Sequence, residues 1–234
     1  MRGVPDAEHS LRSSDHDRRM PRTATTMSLG YLALALPYAA VLLGLYLLRN
    51  AWATILLYHV GIVTLLWLSG REGLLKAVRQ GWSVPAVVVT GIMFAAGGLL
   101  LVLLWGTISR EHADLAGTLT SLHLSGLYWW VFVAYFVTVH PLLEEIFWRG
   151  YLPRAHRSPV VTDVAFAGYH ALVLCIFIKL PWVLVSFGVL LCASWSWRQL
   201  VARYAGLGVA IASHAAADLS VIAVAEYLIR TQSV

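Results

Sequence analysis

Residues 84–106 of the chain read VPAVVVTGIMFAAGGLLLVLLWG, a run of 23 residues without a single charged side chain. A helix of about 20 apolar residues is long enough to cross the roughly 30 Å of hydrocarbon in a bilayer. This run therefore predicts a membrane-spanning helix, and the same pattern recurs along the chain. Seven such apolar runs are present, at 29–48, 51–69, 84–106, 126–147, 163–179, 181–197 and 207–229.

The composition agrees with this interpretation. Of the 234 residues, 59% are hydrophobic and only 12% are charged, whereas soluble domains carry about 25% charged residues. We therefore predict an all-α fold, a polytopic membrane helical bundle with about seven transmembrane spans. The fifth and sixth runs are short and meet at residues 179–181, so a re-entrant hairpin is an alternative, as is an eighth span.

The bundle is predicted to form a single domain over residues 28–234. The preceding segment, 1–27, is polar and mixed in charge, and we expect it to be disordered. Met20 or Met27 is an alternative start of the protein.

Basic residues are distributed unevenly between the predicted loops. If seven spans are correct, 13 of the 17 Lys and Arg residues lie on the side of the N-terminus and 4 on the opposite side. This bias predicts a cytoplasmic N-terminus. It also explains the basic pI of about 9.4 without a nucleic-acid partner. The 15 Arg against 2 Lys, with many Ala, Gly, Leu and Val residues, suggest a GC-rich bacterial genome and hence the bacterial inner membrane.

Ionisable residues inside the apolar runs indicate a functional site, because charge at membrane depth is costly. Glu144 lies about one turn from the end of the fourth run, and His170 and His214 lie roughly 10 Å into the fifth and seventh at ~1.5 Å per residue. All three are counted from the same side of the membrane. Three separate helices therefore bring polar side chains to one level, which predicts a single site.

Helical spacing adds detail to this site. Residues four apart share a helix face, and three such pairs occur here: Glu145 with Arg149, Phe166 with His170, and His214 with Asp218. Arg149 can neutralise Glu145 and leave Glu144, about 100° round the helix, free to point elsewhere. Phe166 would seat an aromatic ring beneath the His170 imidazole.

A carboxylate beside a histidine can deprotonate water, and a second histidine can stabilise the oxyanion of a tetrahedral intermediate. Peptide hydrolysis needs both functions. The sequence contains no G-x-S-x-G, no H-E-x-x-H and no presenilin-type pair of aspartates.

The three motifs of this region resemble those of the CAAX-protease and bacteriocin-processing (Abi) family of intramembrane glutamic proteases. That family carries EExxxR, FxxxH and HxxxN/D, and here the order is the same: Glu144-Glu145-Ile146-Phe147-Trp148-Arg149, Phe166-Ala167-Gly168-Tyr169-His170 and His214-Ala215-Ala216-Ala217-Asp218. The resemblance covers about residues 126–229, and the first three spans carry no motif.

The resemblance implies an endopeptidase that needs no metal or other cofactor and cuts a membrane-anchored peptide or protein. It assigns water activation to Glu144 and His170 and oxyanion stabilisation to His214 and Asp218. Glu145, Arg149 and Phe166 would support this geometry. Asp218 stands where the prenyl-protein proteases have asparagine, so it either carries a proton or acts by orienting His214. Because bacteria generally do not prenylate proteins, maturation of a peptide or of a membrane-anchored protein is expected.

Other interpretations remain at this point. His59 and His140 are interpreted as packing residues, although His140 is four residues before Glu144 and could support the site. Glu226 is expected near the outer surface. A zinc shell of Glu144, His170, His214 and Asp218 would instead make the protein a metal-binding transporter. A non-catalytic immunity or scaffold protein is a third possibility.

Overall fold

Helices account for almost all of the described chain. The computed structural model describes residues 24–70, 73–110, 114–152 and 156–232, and within these ranges it contains helices and a single isolated bridge but no β-strand. The predicted all-α fold is confirmed. The expected disorder of residues 1–27 lies outside the described residues as far as residue 23, and it was wrong for residues 24–27, which form the start of the first helix. The helices are α1 (Ala24–Val41, followed by a π-helix over Leu42–Leu47), α2 (Ala51–Ser69), α3 (Leu74–Arg79), α4 (Val84–Ile108), α5 (Leu115–Ser121), α6 (Gly126–Glu145, followed by a π-helix over Ile146–Tyr151), α7 (Val161–Leu174), α8 (Leu180–Tyr204) and α9 (Gly208–Gln232).

Seven of these helices coincide with the seven predicted apolar runs. Of the described helices, five are long and apolar enough to cross a membrane: α2, α4, α6 with its π-helix, α8 and α9. Two more are apolar but shorter, over Leu32–Leu47 and Val161–Leu174. The protein is therefore a multi-pass membrane protein, and α3 and α5 are short helices in its connecting segments.

Two helices end at least four residues later than the apolar runs predict. The fourth run was expected to end at residue 147 and the sixth at 197, but the helices reach Tyr151 and Tyr204. The predicted run ends place Arg149 and Arg198 in loops, but both residues lie within helices and are buried. The expectation was wrong because each guanidinium has a buried carboxylate partner, which offsets the cost of removing the charge from water.

The connection between α7 and α8 is held against the end of α4. The backbone N–H of Lys179 donates to the carbonyl of Ile108 at 2.9 Å, and that of Arg110 donates to the carbonyl of Phe177 at 3.2 Å. These bonds satisfy the backbone where α7 has already ended, at residue 174.

The last helix packs against three of the long helices. α9 packs against α4, α6 and α8, and its contact with α4 is the most extensive between any two described elements. Small side chains permit this close approach: a Cβ atom at Gly98 would lie 2.9 Å from the Cβ of Ser220. α9 thus brings His214 next to the end of α6, where the two glutamates lie.

Candidate active site

Glu144 and Glu145 are the last two residues of α6, and both are completely buried. Pro141, one turn earlier, has no backbone N–H to donate within the helix. Directly after the glutamates the chain forms the π-helix, in which the N–H of Leu152 donates to the carbonyl of Phe147 at 3.0 Å. Such turns are rare and often occur at functional sites.

The carboxylate of Glu144 is oriented by three donors that converge on one of its oxygens. The Tyr58 hydroxyl donates to Oε1 at 2.7 Å and the indole N–H of Trp148 donates to it at 3.1 Å. The Tyr169 hydroxyl forms a short hydrogen bond to the same atom. These donors come from α2, α7 and the π-helix, so three elements determine the position of Oε1.

The second oxygen of Glu144 faces imidazole rings instead. Oε2 makes no hydrogen bond with any described residue, and the Nε2 atoms of His140 and His214 each lie 3.7 Å from it. His214 Nε2 also lies 3.7 Å from Asp218 Oδ1. One carboxylate oxygen and two ring nitrogens therefore surround the same small space, with Asp218 at its edge.

Glu145 has a different set of partners. Arg149 donates to its Oε1 at 2.9 Å, as the spacing of four residues predicts, and His214 Nδ1 donates to the same oxygen at 2.8 Å. Because a carboxylate oxygen can only accept, the Nδ1 of His214 carries a proton here. Glu145 thus fixes the orientation of the His214 ring, and the Trp197 ring stacks on it with centroids 4.2 Å apart.

A second buried ion pair supports the first. Arg149 also donates to the Ser194 hydroxyl at 3.0 Å, and that hydroxyl donates to Asp163 at 3.0 Å. Asp163 in turn pairs with Arg198 at 2.6 Å. The chain of contacts therefore runs from Glu145 on α6 through α8 to the first turn of α7.

His170 does not contact Glu144 directly. Its Nδ1–H donates to the backbone carbonyl of Phe166 at 2.9 Å, and its Nε2 lies 3.1 Å from the Tyr169 hydroxyl. The Phe166 ring lies against the imidazole, with centroids 4.4 Å apart, as predicted. Within the part of the chain that the structure describes, no hydrogen bond or ion pair joins His170 to Glu144, and Tyr169 stands between them.

Several residues of this site were not identified from the sequence. Tyr58 and Tyr169 bind Glu144 although neither belongs to the motif positions, and Ser194 and Asp163 were given no role. His140 was interpreted as a packing residue that could support the site, and it lies beside Glu144. For His140 the spacing of four residues was a usable signal; for Tyr58, 86 residues away from Glu144, the sequence offered none.

An apolar cavity of about 310 Å³ opens next to this site. At the site it is lined by His140, Tyr169 and His170, and along α6 it continues past Phe136 to Trp129. Eleven residues separate His140 from Trp129, so the cavity follows the helix for roughly 16 Å. A substrate with an apolar group beside its scissile bond would fit this shape.

The arrangement does not form an evident metal site. Among the residues described by the structure, no group of three or more His, Cys, Asp or Glu side chains is arranged to hold a metal ion. Of the four residues considered as a zinc shell, His170 has no described hydrogen bond or ion pair with the other three, and its Nε2 lies 3.1 Å from the Tyr169 hydroxyl.

The region that contains the candidate site matches a known protein family. Residues 125–220 match the family described as "Rce1-like: Type II CAAX prenyl endopeptidase Rce1-like". These residues belong to that family. The match contains all three motifs, confirms the family that they resemble, and supports an intramembrane protease of the CAAX type. Neither the curated proteins nor the solved structures include a significant match to the chain.

The buried ion pair of Asp163 and Arg198 generates a prediction within this Rce1-like segment. We expect Asp163→Asn to destabilise the protein by about 3–5 kcal/mol, because the buried guanidinium of Arg198 loses the ionised carboxylate that it binds. The measurement is thermal unfolding in detergent, followed by tryptophan fluorescence. Asp114→Asn is the matched control, since Asp114 is an exposed N-cap residue whose function asparagine preserves. Equal unfolding temperatures for the two variants would contradict the structural role of this pair.

Proposed function

We propose that the protein is a glutamic-type intramembrane endopeptidase in which Glu144 activates the attacking water. One observation carries this proposal: three donors hold Oε1 of Glu144, whereas its Oε2 faces the ring nitrogens of His140 and His214. When hydrogen bonds hold one oxygen of a carboxylate in place, the position of the second oxygen is fixed as well. Such preorganisation is what a general base needs.

In the proposed reaction, water binds Oε2 of Glu144 and attacks the carbonyl carbon of the scissile peptide bond. The carboxylate takes one proton from the water as the C–O bond forms. The tetrahedral oxyanion then collapses, the C–N bond breaks, and Glu144 returns the proton to the leaving amine. The products are a carboxylic acid and an amine, and the enzyme is restored.

His214 and Asp218 are proposed to stabilise the oxyanion, in agreement with the roles that the family resemblance implies. With its Nδ1–H bound to Glu145, His214 can donate through Nε2 only when the ring carries both protons. Asp218 Oδ1 at 3.7 Å and Glu145 at 2.8 Å both favour that positive charge. Asp218 would thus act through His214.

The remaining motif residues have supporting functions in this proposal. Arg149 balances the charge of Glu145, and its guanidinium lies over the Phe166 ring, 4.6 Å from the centroid. His170 lines the cavity next to Tyr169. From there it would contact the bound peptide and support the hydrogen bond from Tyr169 to Glu144.

The substrate is proposed to be a membrane-anchored peptide or protein with an apolar group next to the cleaved bond. The cavity supports this, since its described lining is almost entirely aliphatic and aromatic. The bacterial inner membrane, with the N-terminus in the cytoplasm, is the proposed location because of the uneven distribution of basic residues.

Substitution of the base tests the proposal. Purified protein in detergent is offered internally quenched peptides that carry a farnesyl or an acyl group near the cleavable bond. We expect Glu144→Gln to lower kcat by at least 10³-fold, about the effect of removing an essential catalytic group. Asp114→Asn, at the exposed N-cap of α5, should cleave like the wild type. Cleavage by Glu144→Gln at the wild-type rate would refute the mechanism, as would stoichiometric zinc that is lost in His214→Ala.

Narrowing the cavity tests the substrate class. Ala225 lines the cavity, whereas Ala223 on the same helix is exposed on the outside of the bundle. We expect Ala225→Phe to raise KM for the lipidated peptides, because the larger ring occupies the space of the apolar group, while kcat changes little. Ala223→Phe should leave both parameters unchanged. The same KM for both variants would mean that the substrate does not enter this cavity.

A further inference from the structure

His140 is part of a chain of hydrogen-bonding side chains that ends at Glu144. The Tyr135 hydroxyl lies 2.7 Å from His59 Nδ1, and His59 Nε2 lies 3.1 Å from His140 Nδ1. His140 Nε2 then faces Glu144 Oε2 at 3.7 Å. Both histidines are almost completely buried. The planes of their rings are only 29° apart, which suits an N–H···N bond in the ring plane.

The donor and acceptor in each of these hydrogen bonds can be deduced from the last group of the series, the carboxylate of Glu144. If His140 donated from Nδ1 to His59, its neutral ring would present a lone pair on Nε2 to the carboxylate oxygen, so two acceptors would face each other. In the opposite direction, Tyr135 donates to His59, His59 donates to His140, and His140 Nε2 carries a proton towards Glu144. Every group then has a compatible partner, so this direction is favoured.

We propose that His140 is a further catalytic residue, whose Nε2–H donates to the oxyanion, and that His59 and Tyr135 are positioning residues that fix its tautomer. The inference rests on the proposed function, since it assigns an additional role in that reaction. His140 lines the cavity, and its Nε2 lies as close to Oε2 of Glu144 as that of His214, at 3.7 Å. Unlike His214, it can donate from a neutral ring.

The two histidines therefore complement each other. The His214 ring needs a second proton before its Nε2 can donate, because Glu145 already binds Nδ1–H. The His140 ring needs no second proton, because its Nδ1 accepts a hydrogen bond from His59 and its single proton is on Nε2. The oxyanion would therefore accept from two donors. His214 donates only when its ring is positively charged, whereas His140 donates from a neutral ring in the right tautomer. The Phe136 ring, stacked at 4.6 Å, keeps the His140 ring in place.

Kinetics with the lipidated quenched peptides test the catalytic role. We expect His140→Leu to lower kcat by roughly 10²–10³-fold, the usual effect of removing one oxyanion donor, with KM unchanged. His140→Gln, whose side-chain amide can donate from a similar position, should recover a large part of kcat. His123→Gln, an exposed loop histidine, is the control and should match the wild type. A purely structural role would not separate kcat from KM or favour Gln over Leu.

Nitrogen NMR of the full chain, labelled with ¹⁵N-histidine in lipid nanodiscs, tests the tautomer without any substrate. The His140 signals are assigned from their loss in His140→Gln. We expect a protonated Nε2 and an unprotonated Nδ1 in the wild type, and a mixture of tautomers in His59→Phe.

The outcomes are distinguishable. If His140→Leu keeps the wild-type kcat while Glu144→Gln does not cleave, or if His140 carries its proton on Nδ1, the inference is wrong and the proposed function stands. If the wild type cleaves none of the peptides, the proposed function fails and this inference fails with it.

Discussion

Arg149 is a buried cation within a membrane bundle, and the geometry of the site depends on how its charge is balanced. Its guanidinium binds Glu145 on one side and Ser194 on the other, and these contacts continue to His214 and Asp163. Four elements of the bundle are thus tied to a single charge. Removing one partner would leave an uncompensated charge away from water, which is far more costly than any exposed ion pair.

This arrangement gives two adjacent glutamates different environments. Glu145 accepts from a guanidinium and an imidazole, so it is committed to structure. Glu144 is held through one oxygen by Tyr58, Trp148 and Tyr169, which carry no charge. Its second oxygen is left to face the proposed reaction site. Neutral donors from aromatic side chains orient the carboxylate without cancelling its charge, and the same rings separate it from the surrounding apolar helices.

The sequence could predict what is local or what is imposed by the bilayer. The seven apolar runs follow from the length a helix needs to cross the membrane, and the pairing of Glu145 with Arg149 follows from helix periodicity. Contacts between distant helices could not be predicted, because helices that are apolar on all sides give no signal of which face turns inward; Tyr58 is the clearest case. The position of Arg198 was predicted wrongly for a related reason, since the sequence does not distinguish a buried arginine near a helix end from an arginine in a loop.

The division of labour between the two glutamates is the central claim, and a paired comparison of Glu144→Gln and Glu145→Gln tests it most directly. Cleavage of a lipidated quenched peptide and the unfolding temperature are measured on the same preparations. We expect Glu144→Gln to lose cleavage while its unfolding temperature stays close to that of the wild type. Glu145→Gln should unfold at a clearly lower temperature, because Arg149 loses its counter-charge, yet retain measurable cleavage. The reverse pattern, with cleavage lost only in Glu145→Gln or stability lost only in Glu144→Gln, would contradict the account.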